Sequence, residues 1–286
     1  MAENPKISAL IKLLDEPDDK TYQIIREKIW SFGTEALPPL EKAWETNFNP
    51  LVQERIVEIR RNLQRTALAA ELAAWVKTSS SDLLKGYLLV TKLNNPDLDE
   101  KAIVTRIEEI RMDVWLELHE NLTALENVKV LNHILFGIHL FEGNKINPVL
   151  PANSWLDTFL QTHLGSPLSL GMLYIIIAEK LGLPITGVSL PQHFILAYLA
   201  DSRITDPTSD QVLFYINPFN KGAVFTRREI ELFIRQLKIK TDSSFFAPCT
   251  NTEVIRRLIN SLIFACNKTG DTDKTEDLEY LLKSTE

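Results

Sequence analysis

The segment from Pro167 to Leu181 constrains the fold more than any other part of the chain. It is apolar on nearly every side, so a helix formed there has no face to give to water and must be enclosed by the rest of a domain. Its ends are well marked. Ser166 suits the N-cap, with its hydroxyl accepting from the Ser169 backbone N–H, and Pro167 suits the first helical position, where no backbone N–H is needed. Gly182-Leu183-Pro184 closes the run. The densest apolar stretch, Met172 to Ala178, is too short to cross a bilayer, so the enclosing material must be protein.

The following residues can supply a sheet. Ile185 to Leu190, His193 to Leu199 and Val212 to Ile216 are rich in β-branched and aromatic residues and separated by turn-forming segments, which predicts successive antiparallel strands. Helices are expected before them over Asp82 to Leu93, Asp99 to Leu118 and Asn153 to Leu164. Between these, a capping box at Thr123 and Glu126 starts a helix with Leu131, Ile134, Leu135 and Ile138 as its buried stripe. Further capping boxes at Thr226/Glu229 and Thr250/Glu253 start helices to about Lys238 and to Gly270, and a last helix from Asp273 to Lys283 folds back as an αα-hairpin.

The first 65 residues read as paired short helices. Their apolar faces carry Ile7, Leu10, Ile11 and Leu14, then Ile24, Ile25, Ile29 and Trp30, then Leu37, Leu40 and Trp44. A cap at Asn49-Pro50 precedes Leu51, Ile56, Ile59 and Leu63. Such pairs resemble HEAT-type repeats. The expected class is therefore α+β and predominantly helical, with a small antiparallel sheet packed on a central helix. Helical regions flank it at both ends. The expected divisions are 1–65, 66–240 and 241–286.

Composition narrows the function. A net charge of −7 and a pI near 5.4 disfavour nucleic acid and anionic membranes as general partners. Met1 to Pro17 carries no secretory pattern, which places the protein in the cytoplasm, where a structural disulfide is not expected. Cys249 and Cys266 match no zinc or redox spacing and read as apolar side chains. His133 and His139 lie about 240° apart on a helix and cannot share a metal. With no glycine-rich phosphate loop either, neither cofactor nor metal is expected.

An enclosed helix followed by strands, with a histidine opening one strand and an asparagine ending another, is the layout of papain-type and transglutaminase-type sites. The strings Leu131 to Phe136, Asn153-Ser154, Gly165 to Leu170, Leu181 to Pro184, Pro191 to Phe194 and Ile216 to Phe219 resemble the SirB family, a bacterial branch related to the transglutaminase core. The resemblance covers Asp82 to Leu237. It implies a papain-like α+β core, sometimes followed by tetratricopeptide-type helices, which the C-terminal hairpin is similar to.

It also implies a nucleophilic cysteine two residues after a glycine, at the start of the enclosed helix. With that glycine aligned on Gly165, the cysteine position falls on Pro167. His193 matches the family's histidine. Asn217 stands where the family more often has aspartate, and an asparagine can orient an imidazole without stabilising its charged form. Asp206-Pro207-Thr208 resembles another transglutaminase signature but precedes its strand, and reads as a turn.

Proline supplies no nucleophile, which weighs against an enzyme. Ser169 lies about 200° around the helix from Pro167, so it faces away if Pro167 faces His193. One reading is a non-catalytic protein that binds a protein or peptide through a cleft at Pro167, His193 and Asn217, or through its helical ends. The alternative is an amide hydrolase or acyltransferase in which Ser169 or Ser166 attacks, His193 is the base and Asn217 orients it. In a third, the cleft is collapsed and only the exterior acts. The oligomeric state is left open.

Overall fold

A computed structural model describes residues 4–191, 193–201, 208–236 and 242–286. Gln192, Asp206, Pro207 and the expected helix end at Lys238 lie outside the described residues. The chain divides into two units, Met1–Ala74 and Trp75–Glu286.

The first unit is helical: α1 (Pro5–Ile11), α2 (Asp19–Trp30), α3 (Leu37–Thr46) and most of α4 (Pro50–Thr78). Asn4 and Asp18 cap α1 and α2, and the Asn49 carboxamide accepts from Leu51 N–H at 3.0 Å, as its place before Pro50 predicts. Ile7, Leu14, Ile29, Leu40, Ile56 and Ile59 form the fully buried centre. The expected face of α2 needs one correction. Tyr22, Ile25 and Ile29 keep the three-and-four spacing of a helical stripe and are buried, whereas Ile24 falls off that stripe and is 68% exposed. The expected boundary at 65/66 falls inside α4, and the division into units comes at 74/75.

The second unit holds α5 (Leu83–Lys92), α6 (Glu100–Glu117) and α7 (Ala124–Asn132), followed by β1 (Glu142–Gly143), α8 (Leu156–Thr162) and β2 (Leu164–Gly165). Next come α9 (Pro167–Lys180), β3 (Ile185–Leu190), β4 (His193–Leu199), β5 (Val212–Asn217) and β6 (Ala223–Phe225). The unit ends with α10 (Arg227–Gln236), β7 (Pro248–Cys249), α11 (Asn251–Thr269) and α12 (Thr272–Lys283). β1 and β2 pair in parallel, and the other five strands form an antiparallel sheet in the order β6-β5-β4-β3-β7.

The enclosed helix is α9. Met172 to Ala178 are buried without exception, because α9 packs on β3 and β4 and is surrounded by α5, α6 and α11. Each Leu or Ile buried in this way contributes about 1.5–3 kcal/mol. Two glycines set how closely helix and sheet approach. A Cβ at Gly171 or Gly187 would stand 2.6 or 2.7 Å from the ring of Phe194, so that ring fills both notches. Strand alternation then divides the sheet. Phe194 and Leu196 meet α9, while Ile195 and Ala197 join Val188, Leu190 and Tyr215 in a second core under Ile230 and Ile234 of α10.

The stripe expected after Thr123 also needs correction. His133–Ile138 continues α7 as a π-helical stretch, which winds more residues into each turn. The phase shifts accordingly, so Phe136 is buried and Ile138 is 55% exposed. At the C-terminal end, Gly270 adopts φ +79° between α11 and α12, a conformation glycine accepts without strain. Among the described residues, no helix is long and apolar enough to cross a membrane.

Candidate functional site

Pro167, His193 and Asn217 come from three elements and line one pocket of about 510 Å³. Pro167 is the first residue of α9, His193 opens β4 and Asn217 ends β5. Strand register explains the last two. Leu196 pairs with Ile216, so Ile195 opposes Asn217 and His193 is its diagonal neighbour on the same face. The pocket is open rather than collapsed, and its walls are mainly apolar: Pro148, Leu190, Ile195, Phe219, Phe225 and Phe233 contribute, with Glu229 at the rim.

The serines lie on the other side of the helix start. Ser166 caps α9, accepting from Ser169 N–H at 3.1 Å, and the Ser169 hydroxyl accepts from Ser166 N–H at 2.8 Å. The hydroxyl protons run in one direction. Ser154 donates to Ser166 at 3.1 Å, Ser166 donates to Ser169 at 2.8 Å, and Ser169 donates to the Asn153 carbonyl at 2.6 Å. Each proton has its acceptor, and Ser169 is fully buried. Among the described residues, no hydrogen bond joins the His193 ring to Ser166, Ser169 or Asn217. The Ser169 hydroxyl has its partners in this network, and Ser169 is not among the residues lining the pocket.

His193 meets Phe233 of α10 edge to face, with ring centroids 4.9 Å apart. Burial, and then the positive charge of Arg257, holds its imidazole below the ordinary range, so it is neutral near pH 7. Arg257 on α11 acts through the backbone. Its guanidinium donates to the carbonyls of Leu190 at 2.9 Å and His193 at 2.7 Å, and to the Ser189 hydroxyl, which ties the β3–β4 hairpin to the helix. Asn217 does not orient the imidazole. Its carboxamide oxygen accepts from Asn220 N–H at 3.2 Å and caps the 3₁₀ turn Pro218–Asn220, which presents Phe219.

Several wall residues were not singled out from the sequence. Pro148 sits in a loop locked by asparagines: Asn144 donates to the Asn153 side chain at 2.9 Å, and Asn153 donates to the Asn147 carbonyl at 2.8 Å. Asn153 thus joins the Pro148 wall to the start of α9. Phe219 lies so close to Gly143 that a Cβ there would be 2.2 Å from its ring. Glu229 and Phe233 are four apart on α10 and therefore share a face, the one signal in the sequence that could have linked them.

The remaining candidates do not line this pocket. Cys249 is half-buried in β7, with its thiol pushed up to about 12 chiefly by burial, and Cys266 is buried on α11. Neither is in a disulfide. The His139 ring is held between Asp113 at 2.9 Å and Arg106 at 3.1 Å. Thr208, all that is described of the Asp-Pro-Thr turn, caps the 3₁₀ turn Ser209–Gln211. No group of His, Cys, Asp and Glu able to hold a metal occurs among the described residues.

An enclosed helix starting at the pocket, a histidine opening one strand and an asparagine ending the next define a transglutaminase-like core. The sequence pattern of the transglutaminase-like superfamily matches residues 101–260, and the chain belongs to that superfamily. It is 28% identical over 162 residues to a UPF0162 protein of Xylella fastidiosa, covering 57% of this chain and 54% of that protein. The UPF0162 protein YchA of Escherichia coli K12 is 25% identical over 187 residues, covering 64% of this chain and 66% of YchA. Human F-box only protein 21 is 27% identical over 141 residues, covering 49% of this chain and 22% of that protein. The chain thus spans about half the length of the Xylella relative and a smaller part of the human one. No solved structure matches.

Proposed function

We propose that this is a non-catalytic transglutaminase-like protein that holds a protein or peptide segment in the pocket at Pro167, His193 and Asn217. One observation carries the reading. Pro167, which the family resemblance aligns with the nucleophile position, lines the pocket, while both serines of the helix start are bound to a buried network away from it. The His193 imidazole then has no acid to deprotonate and serves as a neutral hydrogen-bonding group in an apolar wall.

The ordered motifs from Leu131 to Phe219 support the SirB branch of the superfamily. The HEAT-like and the tetratricopeptide-like helical ends are each a further candidate binding surface, and a cytoplasmic setting is part of the same reading. The match to about a fifth of F-box only protein 21 fits a core that works as one module of a longer chain.

The full chain, displayed against a random peptide library, should select peptides with a common anchor residue and lose them in a Phe233→Ala variant that still melts cooperatively. Bound peptides should be recovered intact by mass spectrometry. Hydrolysed or cross-linked peptide would overturn the non-catalytic reading, and unchanged selection by Phe233→Ala would remove the pocket from it.

A further inference from the structure

The pocket walls are more specific in chemistry than in shape. Phe219 from the turn after β5, Phe225 from β6 and Phe233 from α10 are half-buried rings that meet on one cavity. The His193 ring closes the group, edge to face with Phe233. Aromatic faces carry partial negative charge, and several rings around one space attract a cation that gives up its water cheaply.

Among the described residues, the lining contributes one formal charge, the carboxylate of Glu229. It accepts from Thr226 N–H and from the Thr226 hydroxyl, both at 2.7 Å, and these bonds hold it ionised. Arg257 of α11, which is held against the β3–β4 hairpin, is turned to the carbonyls of Leu190 and His193 and does not line the cavity. An anion would meet no cation among the described lining residues. A lysine ammonium is strongly hydrated and needs several acceptors at once, and the mainly apolar lining offers few. A quaternary ammonium needs none.

We propose that the pocket binds a trimethylammonium group on a short apolar chain, carried either by a trimethylated lysine of the bound segment or by a free cation of the choline class. The proposal rests on the reading of this pocket as a binding site and names its ligand chemistry.

The test uses the full chain and NMR-detected titration of its Phe and His ring resonances. Choline is compared with 3,3-dimethyl-1-butanol, its neutral isostere, and a trimethyl-lysine peptide with the same peptide unmodified. Choline should bind at least about 10-fold more tightly than the isostere. Phe233→Leu should lose about 10-fold and Glu229→Gln about 3-fold; the glutamine can keep the cap on Thr226 and removes only the charge. A gain of the methylated peptide over both choline and the unmodified peptide identifies a protein source, and binding of choline alone identifies a free cation. Equal binding of the isostere, or unchanged affinity in both variants, overturns the charge assignment and leaves the pocket reading standing. If no probe of either kind shifts the pocket rings, both fail.

Discussion

The two sides of the α9 start make an instructive contrast. On one side Ser154, Ser166, Ser169 and Asn153 form a chain in which each hydroxyl proton has an acceptor and nothing faces solvent. On the other, Pro167, His193 and Asn217 surround an open space, with an imidazole whose ring packs on Phe233. A few ångströms of backbone separate a closed polar network from an open apolar one. The closed side sets the structure that the open side uses. It follows that stability should depend on the serines and Asn153, and binding on the pocket residues.

The severest way to break this contrast is Asn153→Ala. It removes two side-chain hydrogen bonds from a part-buried loop, leaving the Asn144 amide N–H without its acceptor and the Asn147 carbonyl with only the Leu150 N–H at 3.3 Å, and should cost about 3 kcal/mol in urea unfolding. Ser169→Ala should cost about 2 kcal/mol, since the buried Ser166 hydroxyl proton loses its acceptor, the capping box loses its returning bond and the Ser166 N–H keeps only the Asn153 carbonyl at 3.1 Å. At temperatures where it stays folded, the Ser169→Ala variant should bind pocket ligands as the wild type does. A Ser169→Ala protein of full stability but lost binding would reverse the assignment of the two sides.

How much of this was legible depends on the range of the interactions. α9, β3, β4 and β5 could be read because each is specified by its own residues: an apolar run between caps, or alternation between turns. The Ser166–Ser169 cap could be read for the same reason. The pocket walls could not. β6 has three residues and β7 two, too few to show alternation, and each is stabilised by pairing with a strand already formed. Pro148, Phe219 and Phe225 reach the site through contacts distant in sequence. The exposure of Ile138 was hidden as well, because a π-helical stretch changes the phase that a regular helix would keep.

A gentler test restores what the superfamily places at the helix start. Pro167→Cys puts a thiol on the pocket wall with little expected change in stability, because proline at the first helical position makes no hydrogen bond to lose. The introduced thiol should react with iodoacetamide at pH 7 at least about 10-fold faster than Cys249, whose burial pushes its own thiol up to about 12. Peptide mapping reads the two rates separately. Equal rates would mean that position 167 is as closed as β7, and the contrast between the two sides would fail.

The smallest expected effect lies in the titration of His193. Its folded imidazole binds a proton less readily than the ordinary value of 6.5, first through burial and second through Arg257. The sign follows from linkage: below about pH 6.5 the unfolded chain takes up the proton before the folded one, so this group lowers stability as pH falls and contributes no pH dependence well above that value. NMR titration should place the His193 midpoint below 6.5, and Arg257→Met should move it upward, provided the hairpin stays in place. The two causes separate in that variant. A midpoint that does not move assigns the shift to burial alone, and Arg257 then matters only as the strap across the Leu190 and His193 carbonyls. A wild-type midpoint above 6.5 would instead mean an imidazole charged near neutral pH, which the aromatic wall would hold against an incoming cation, and the open side of α9 would then favour anions.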